Sequence, residues 1–502
     1  MRVLETAMTR QLAGFALLIA VSSSLTLQAA DGTGSSTAAE KRPPNIVLLL
    51  VDDMGWIDPV CYGNPFHETP NIDRLASQGM RFTDAYAACP VCSPTRASIM
   101  TGRYPATVNL TDFIPGHWRP WDKLVVPEFN QQLPHSEVTI AEALKPVGYV
   151  SASFGKWHLG GATHNPDSQG FDEMLVTGGR HFFPNFRTTP PAEIDDGAYL
   201  ADVLTDRAER FMEQHRDEPF FLYLPHYAVH IPLEAKRELI AKYERKQPKP
   251  PGRVNNPVYA AMVEHIDQSL GRIMARLDEL QLADDTLLVF FSDNGGLYQS
   301  ASRKGDPVMV NTPLRDEKGS LYEGGIREPL IIRWPGHIAP GSECSVPVSS
   351  VDLLPTFAEL AGPKTQDNLT NRIDGVSLVP LLTQQRELPA RSLFWHYPHY
   401  HHTTPAGAIR KGDLKLIEYF DDGHIELYDL KNDLSEKHDL AAERPVVAKS
   451  LQQELAAWRK SVGAKMPTPN PDYDPEKATQ FQRRPRPQRA PQNRQPAGAT
   501  KS

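Results

Sequence analysis

The chain has 502 residues, 40% of them hydrophobic, and a formal net charge of −8. That length allows two or three domains and an ample core, and four cysteines are too few for a disulfide scaffold. The acidic balance argues against nucleic acid as a partner, so an anionic substrate needs local cations for its capture.

Residues 1–30 read as a secretory signal. Arg2 and Arg10 give a positive start, Leu12 to Val21 an apolar core too short to span a bilayer, and Ser22 to Ala30 a stretch of small residues. The expected location is therefore the periplasm or the outside of the cell, with no stable membrane span; an uncleaved N-terminal anchor is the alternative. Residues 31–42 read as a flexible leader. From Asn45 apolar runs alternate with helical patterns, as in α/β proteins. Ile46 to Val51 shows no alternation, which fits a strand buried on both faces. Further strands are expected at Tyr149–Phe154, Pro219–Leu224, Thr286–Phe291 and Leu330–Trp334. Helices are expected at Asn71–Gln78, Thr139–Lys145, Ala201–His215, Val258–Leu282 and Val351–Leu360.

The fold expected is thus α/β, a large mixed and mostly parallel sheet flanked by helices over residues 43–388. A smaller C-terminal subdomain follows over 389–465. Its short alternating pieces at Phe394, Ala408, Leu414 and Ile425 read as an antiparallel sheet, followed by a helix from Pro445 to Val462. The tail over 466–502 is rich in Pro, Gln and Arg, and its composition predicts disorder. From Lys465 onward eight Lys/Arg face three Asp/Glu, which leaves the tail at +5 and the rest at −13. The tail is expected to be dispensable for chemistry while attracting anionic polymers.

Two strands end in the same chemistry. Val51 runs into Asp52-Asp53, and Ser292 into Asp293-Asn294. In open α/β sheets ligands sit outside the carboxyl ends of strands. Three carboxylates and an amide oxygen are hard donors suited to Ca2+ or Mg2+. A third feature is Cys92-Ser-Pro-Thr-Arg96, a cysteine just ahead of a helix that Ser93 would cap, with Pro94 in the first turn. Unpaired amides there favour an anion, either the Cys92 thiolate or a bound oxyanion, and Arg96 adds a cation about one turn away.

The motif C-x-P-x-R, followed by A-S-x-x-T-G-R, resembles the signature of the type I sulfatases of the alkaline phosphatase superfamily. The resemblance extends from Asn45 to about Leu440. It takes in Gly155-Lys-Trp-His-Leu-Gly160, His230-Ile-Pro232 and Lys318-Gly-Ser-Leu-Tyr-Glu-Gly-Gly-Ile-Arg-Glu-Pro329. It implies that Cys92 is oxidised to formylglycine by a maturation enzyme, and that Asp52, Asp53, Asp293 and Asn294 bind Ca2+ (or Mg2+) with the residue at 92 completing the shell. It implies further that Arg96, Lys156 and Lys318 offset charge on a sulfate ester. The aldehyde hydrate would attack sulfur, His230 or Lys156 would protonate the leaving oxygen, and His158 would take the proton that lets the hemiacetal collapse. Glu323 and Arg327 read as a buried ion pair holding the glycine-rich loop, and Arg103 as similarly structural. His226 is left between a supporting role and a purely structural one.

The implied activity is hydrolysis of an aryl or carbohydrate sulfate monoester, on a small molecule or a polysaccharide. Two rivals stand beside it: a phosphodiesterase or phosphonate hydrolase of the same superfamily, and a sulfated-glycan-binding protein in which Cys92 stays unmodified. The run Phe394-Trp-His-Tyr-Pro-His-Tyr-His-His402 is open between a sugar pocket and a domain seam.

Overall fold

The computed structural model describes residues 42–298, 307–383 and 387–481. The expected signal segment lies outside them, as does nearly all of the leader. Asn45–Val51 is the strand from which the main sheet is built, pairing in parallel with Phe220–Pro225 on one side and Thr286–Ser292 on the other. Its unbroken apolar sequence follows from facing two cores. Val47, Leu49 and Val51 pack with the helices Leu200–Gln214 and Pro257–Glu279. Ile46, Leu48 and Leu50 pack with Cys92–Thr101, Ile140–Leu144 and Leu353–Leu360 on the opposite face. Period-two side chains with both faces covered leave no place for a polar residue until the strand ends.

Nine strands make this sheet. Val150–Gly155 and Glu173–Gly178 extend it in parallel beyond Phe220–Pro225, and Arg187–Thr189 closes that edge antiparallel. On the other side Leu330–Arg333 runs antiparallel between Thr286–Ser292 and Met80–Phe82, with Ser342–Cys344 at the edge. The sheet is therefore mixed and mostly parallel, as expected. None of the four cysteines is in a disulfide.

The smaller sheet has four antiparallel strands in chain order: Ser392–Tyr397, Ala406–Lys411, Leu414–Tyr419 and Ile425–Asp429. One face carries Ile409, Leu416 and Leu427 against Leu451 and Leu455 of the helix Pro445–Ser461. The other carries Trp395, Tyr397, Ala408 and Ile417 against Tyr86, Cys89 and Val91, just ahead of Cys92. Trp395 donates its indole N–H to the Ala87 carbonyl at 2.8 Å. Lys415 is buried between Glu323 and Glu436, 2.8 and 2.9 Å from their carboxylates, and Arg327 donates to Glu323 at 2.7 Å. This network ties the loop bearing Lys318 to the small sheet, and it contains the Glu323–Arg327 pair read from the sequence.

The tail departs from expectation. Thr468–Pro469 pairs antiparallel with Leu124–Val125, and a helix follows over Pro475–Phe481. Composition measures only what a segment can bury by itself. Here the segment finds ready-made backbone acceptors on another loop, so it orders without a core of its own. The remainder, residues 482–502, lies outside the described residues. Among the described residues no helix is long and apolar enough to cross a membrane.

Candidate active site

The two acidic strand ends meet. The Asp53 amide donates to Asp293 Oδ1 at 3.2 Å, and Asn294 Nδ2 donates to Asp53 Oδ1 at 2.8 Å. Asp53 has φ of +62°, a left-handed turn that a short polar side chain tolerates and that takes the chain out of the strand. Asp52, Asp293 and Asn294 are wholly buried. Asp52 Oδ1, Asp53 Oδ2 and Asn294 Oδ1 are buried and accept no hydrogen bond. Buried oxygens rarely go unpaired, so three hard donors left open in one cluster fit a divalent cation. Ligand atoms of Asp52, Asp53 and His230 lie within 4.8 Å of one another. Burial and then the charge of Asp52 push Asp293 up to about 7. Burial would raise Asp52 too, but Lys156, His230, Arg96 and Lys318 together hold it well below the carboxylate range.

Cys92 opens the helix Cys92–Thr101, which ends at Gly102 with φ of +64°. The cap is Val91, two residues earlier than the sequence suggests, and it has no side-chain bond to the helix. Ser93 spends its hydroxyl elsewhere, accepting the Ile114 amide at 3.1 Å. Cys92 is 1% exposed, with Sγ 3.2 Å from His158 Nδ1. Burial raises its thiol, outweighing Lys156 and Lys318, and so works against the thiolate expected at a helix start. The cysteine is seated for chemistry other than that of a free thiolate.

Lys156 pairs with Asp52, and Lys318 lies 2.6 Å from Asp53 Oδ1. Lys156 and His158 reach one pocket, though not by continuing as a strand. Val150–Gly155 ends before them, and His158 turns with φ of +57°. Its Nε2 faces the Ile114 carbonyl at 2.7 Å. His230 has Nδ1 2.6 Å from the Ile231 carbonyl and Nε2 3.6 Å from Asp53 Oδ2. Arg96 is placed differently from the other cations. It is wholly buried, with Nε 2.8 Å from Asp293 Oδ2 and Nη1 on the Lys156 carbonyl, so it grips the acids from beneath and does not line the pocket.

Above these groups opens a cavity of about 840 Å³, lined at its base by Cys92, Lys156, His158, His230 and Lys318. Its outer wall comes from Phe113, Ile114, His117, Arg119, Tyr227, Glu317, His401 and His402. Of these, the sequence singled out only the two last histidines, within the aromatic run, and that run divides. Trp395, Tyr397 and His399 are buried in the seam under the small sheet, while His401 and His402 reach the cavity. Gly319 makes room for this, since a Cβ there would fall 1.3 Å from His401 Nδ1. His117 and Arg119 carried no sequence signal; they sit in an irregular loop without periodicity. His226 is buried away from the cavity, bonded to Ser269 at 3.0 Å.

The fold and the acidic, lysine-floored pocket define a hydrolase of mixed α/β architecture for an anionic ester. A family profile described as Sulfatase matches residues 44–363, and one described as N-sulphoglucosamine sulphohydrolase, C-terminal, matches 316–461. Arylsulfatase A of Homo sapiens is 34% identical over 473 residues, covering 83% of this chain and 87% of its own length. N-acetylgalactosamine-6-sulfatase of Homo sapiens is 36% identical over 387 residues, covering 73% and 70%. The solved structure of Ps i-CgsB in complex with k-i-k-neocarrahexaose shares the fold with a TM-score of 0.72 at 30% identity, over 89% of this chain and 98% of that one. The chain belongs to the sulfatase family, as an arylsulfatase-like member of its type I, formylglycine-dependent branch. It is an enzyme that hydrolyses sulfate esters.

Proposed function

We propose that the enzyme removes sulfate from a carbohydrate, with residue 92 as nucleophile after its conversion from cysteine to formylglycine by a maturation enzyme. Asp52, Asp53, Asp293 and Asn294 would hold Ca2+ (or Mg2+), with residue 92 at its edge. The observation that carries this reading is the convergence of three unpaired buried oxygens on a pocket floored by Cys92, Lys156, Lys318 and two histidines. The glycan assignment is supported by a related structure that holds a carrageenan hexasaccharide and by a relative named for a sulfated amino sugar. Export through the N-terminal signal, to the periplasm or beyond, belongs to the same proposal.

When bound, the cation supplies a Lewis acid for a sulfate oxygen, and the converted residue 92 supplies an aldehyde hydrate as nucleophile. The side chains do the rest. Lys156 and Lys318 face the cavity and offset charge that grows on the sulfate oxygens. Their salt bridges to Asp52 and Asp53 hold both ammonium groups in place beforehand. Arg96 orients Asp293 from below. His158 turns Nδ1 to residue 92 and takes its proton. His230 is placed to protonate the leaving oxygen only in its charged form, since Nδ1 faces the Ile231 carbonyl and burial, against the charge of Asp53, lowers the ring to about 4. Lys156 is the poorer donor, because against burial the charge of Asp52 keeps its ammonium well above the ordinary lysine range.

Intact-peptide mass and substrate preference test this together. The Cys92 peptide should exchange one sulfur and two hydrogens for one oxygen, and the converted protein should favour an aryl sulfate over the matching aryl phosphate or phosphonate. Full activity with residue 92 still a thiol would refute the mechanism. Phosphate preference would move the enzyme to the phosphodiesterase reading.

A further inference from the structure

The part of the cavity's outer wall that runs from Phe113 to Arg119 belongs to an irregular loop with two anchors. Its first half is held by the buried carboxylate of Asp112, which accepts from the amides of Phe113 and His117 at 2.9 and 3.1 Å and from Tyr397 at 3.0 Å. Its second half is held from the far end of the chain. The carbonyls of four consecutive residues, 120 to 123, all accept from Asn470 or Asp474. Asn470 Nδ2 reaches Pro120 at 2.9 Å and Asp122 at 2.7 Å. The Asn470 and Asp474 amides reach Lys123 at 3.1 Å and Trp121 at 3.2 Å. Strand pairing at Leu124–Val125 continues the seam, and Lys477 lies 4.5 Å over the Trp121 ring.

We infer that the C-terminal segment 466–481 is a specificity element, bracing the loop that presents His117 and Arg119 to the leaving-group side of the substrate. Arg119 lines the cavity, and its guanidinium lies 3.9 Å from Asp122, the residue whose carbonyl Asn470 holds. The brace thus acts on Arg119 through the backbone of Asp122. The base of the pocket, where sulfate chemistry occurs, comes from strand ends of the main sheet, the Cys92 helix and the Lys318 loop, and among the described residues the segment's hydrogen bonds do not reach it. Releasing the brace should therefore weaken recognition of what carries the sulfate and leave recognition of sulfate itself intact. This rests on the sulfatase reading above.

The test compares three chains with the full-length converted enzyme: one ending at Phe481, one ending at Lys465, and Asn470→Ala. The substrate is p-nitrophenyl sulfate, and inorganic sulfate is the competitive inhibitor. Ending at Phe481 should change nothing. Ending at Lys465 should raise KM about tenfold or more, with kcat and the sulfate Ki held within about threefold. Asn470→Ala, which keeps the segment and guards against misfolding of the shorter chain, should raise KM by about three- to tenfold, the loss of one or two net hydrogen bonds. Adding Arg119→Ala to Asn470→Ala should cost less than the two separate effects combined. Amide hydrogen exchange over residues 117–125 should quicken in both brace variants. Unchanged exchange overturns the brace, as does an unchanged KM in both variants or a KM and sulfate Ki that rise together. Absence of any aryl sulfate turnover in the full-length protein would instead refute the sulfatase reading, and exchange would still decide the brace.

Discussion

His158 stands with Nδ1 3.2 Å from Sγ of Cys92 and Nε2 2.7 Å from the Ile114 carbonyl. A carbonyl only accepts, so Nε2 carries the proton and Nδ1 turns a lone pair toward residue 92. Burial first, then Lys156, push the imidazole down to about 3, so it stays neutral. A neutral ring with this tautomer is a base already aimed. His158→Ala should lower kcat by roughly 10²- to 10⁴-fold in converted protein, the usual worth of a positioned base. Cys92→Ala should abolish turnover while leaving the thermal midpoint close to that of the parent. A His158→Ala enzyme within threefold of the parent would remove the assignment.

Cation removal should act on stability as well as rate. The acids at the two strand ends are buried and crowded, and a ligand bound only by the folded chain stabilises it by mass action. Chelation should lower the melting midpoint, and added Ca2+ should restore it in a concentration-dependent way. Asp293→Asn should abolish that dependence. A midpoint indifferent to both chelator and Ca2+ would dissolve the proposed ligand set.

Lys415 offers a test away from the chemistry. Its ammonium, fully buried, is shared by Glu323 and Glu436. Lys415→Met would leave two carboxylates facing each other in a dry place, and breaking a buried pair in this way costs about 3–5 kcal/mol. Urea unfolding should report a loss of that order, partly recovered by adding Glu436→Gln. A loss below about 1 kcal/mol, the range of an exposed pair, would mean that the network is solvated.

Buried histidines should give the fold an acid-sensitive contribution of their own, opposed by buried carboxyls such as Asp58 and Asp293, which burial raises to about 7. Burial lowers His226 and His396 from 6.5 to about 4. At these two sites the unfolded chain binds protons that the folded chain refuses, so their contribution to stability falls as pH drops from 6.5 toward 4. His396→Gln, which keeps a donor for the Lys465 carbonyl, should therefore gain urea midpoint relative to the parent as pH falls across that window. A difference between the two midpoints that is the same at pH 7 and 4.5 would contradict it.

The main sheet and the floor of the pocket were legible because their signals are local. A strand with no polar residue must be covered twice, and acidic residues at its end must face a site. Resemblance added Lys156, His158, His230 and Lys318 on contiguous motifs. What stayed hidden depends on depth and on distant partners. Arg96 looks like a pocket cation by spacing, yet its guanidinium is buried below the floor against Asp293 and the Lys156 carbonyl. Ser93 looks like a cap, but its hydroxyl serves Ile114. The brace on residues 120–123 escaped entirely, because backbone carbonyls have no residue identity and Asn470 has no periodicity to betray its role. Composition assigned residues 466–481 to disorder for the same reason.

Cys92 is 1% exposed, and Ser93, Thr95 and Arg96 are wholly enclosed. A modifying enzyme would have no access to that thiol in the finished fold, so the proposed conversion would have to precede folding. In that fold Thr286–Ser292 lies beside Asn45–Val51, and Trp395 bonds the Ala87 carbonyl just ahead of Cys92. On the proposed mechanism, a chain that folded before conversion would keep its thiol and turn nothing over, however stable it is. Yield of working enzyme would then be a race between elongation and modification, which slower translation beyond residue 92 should help to win.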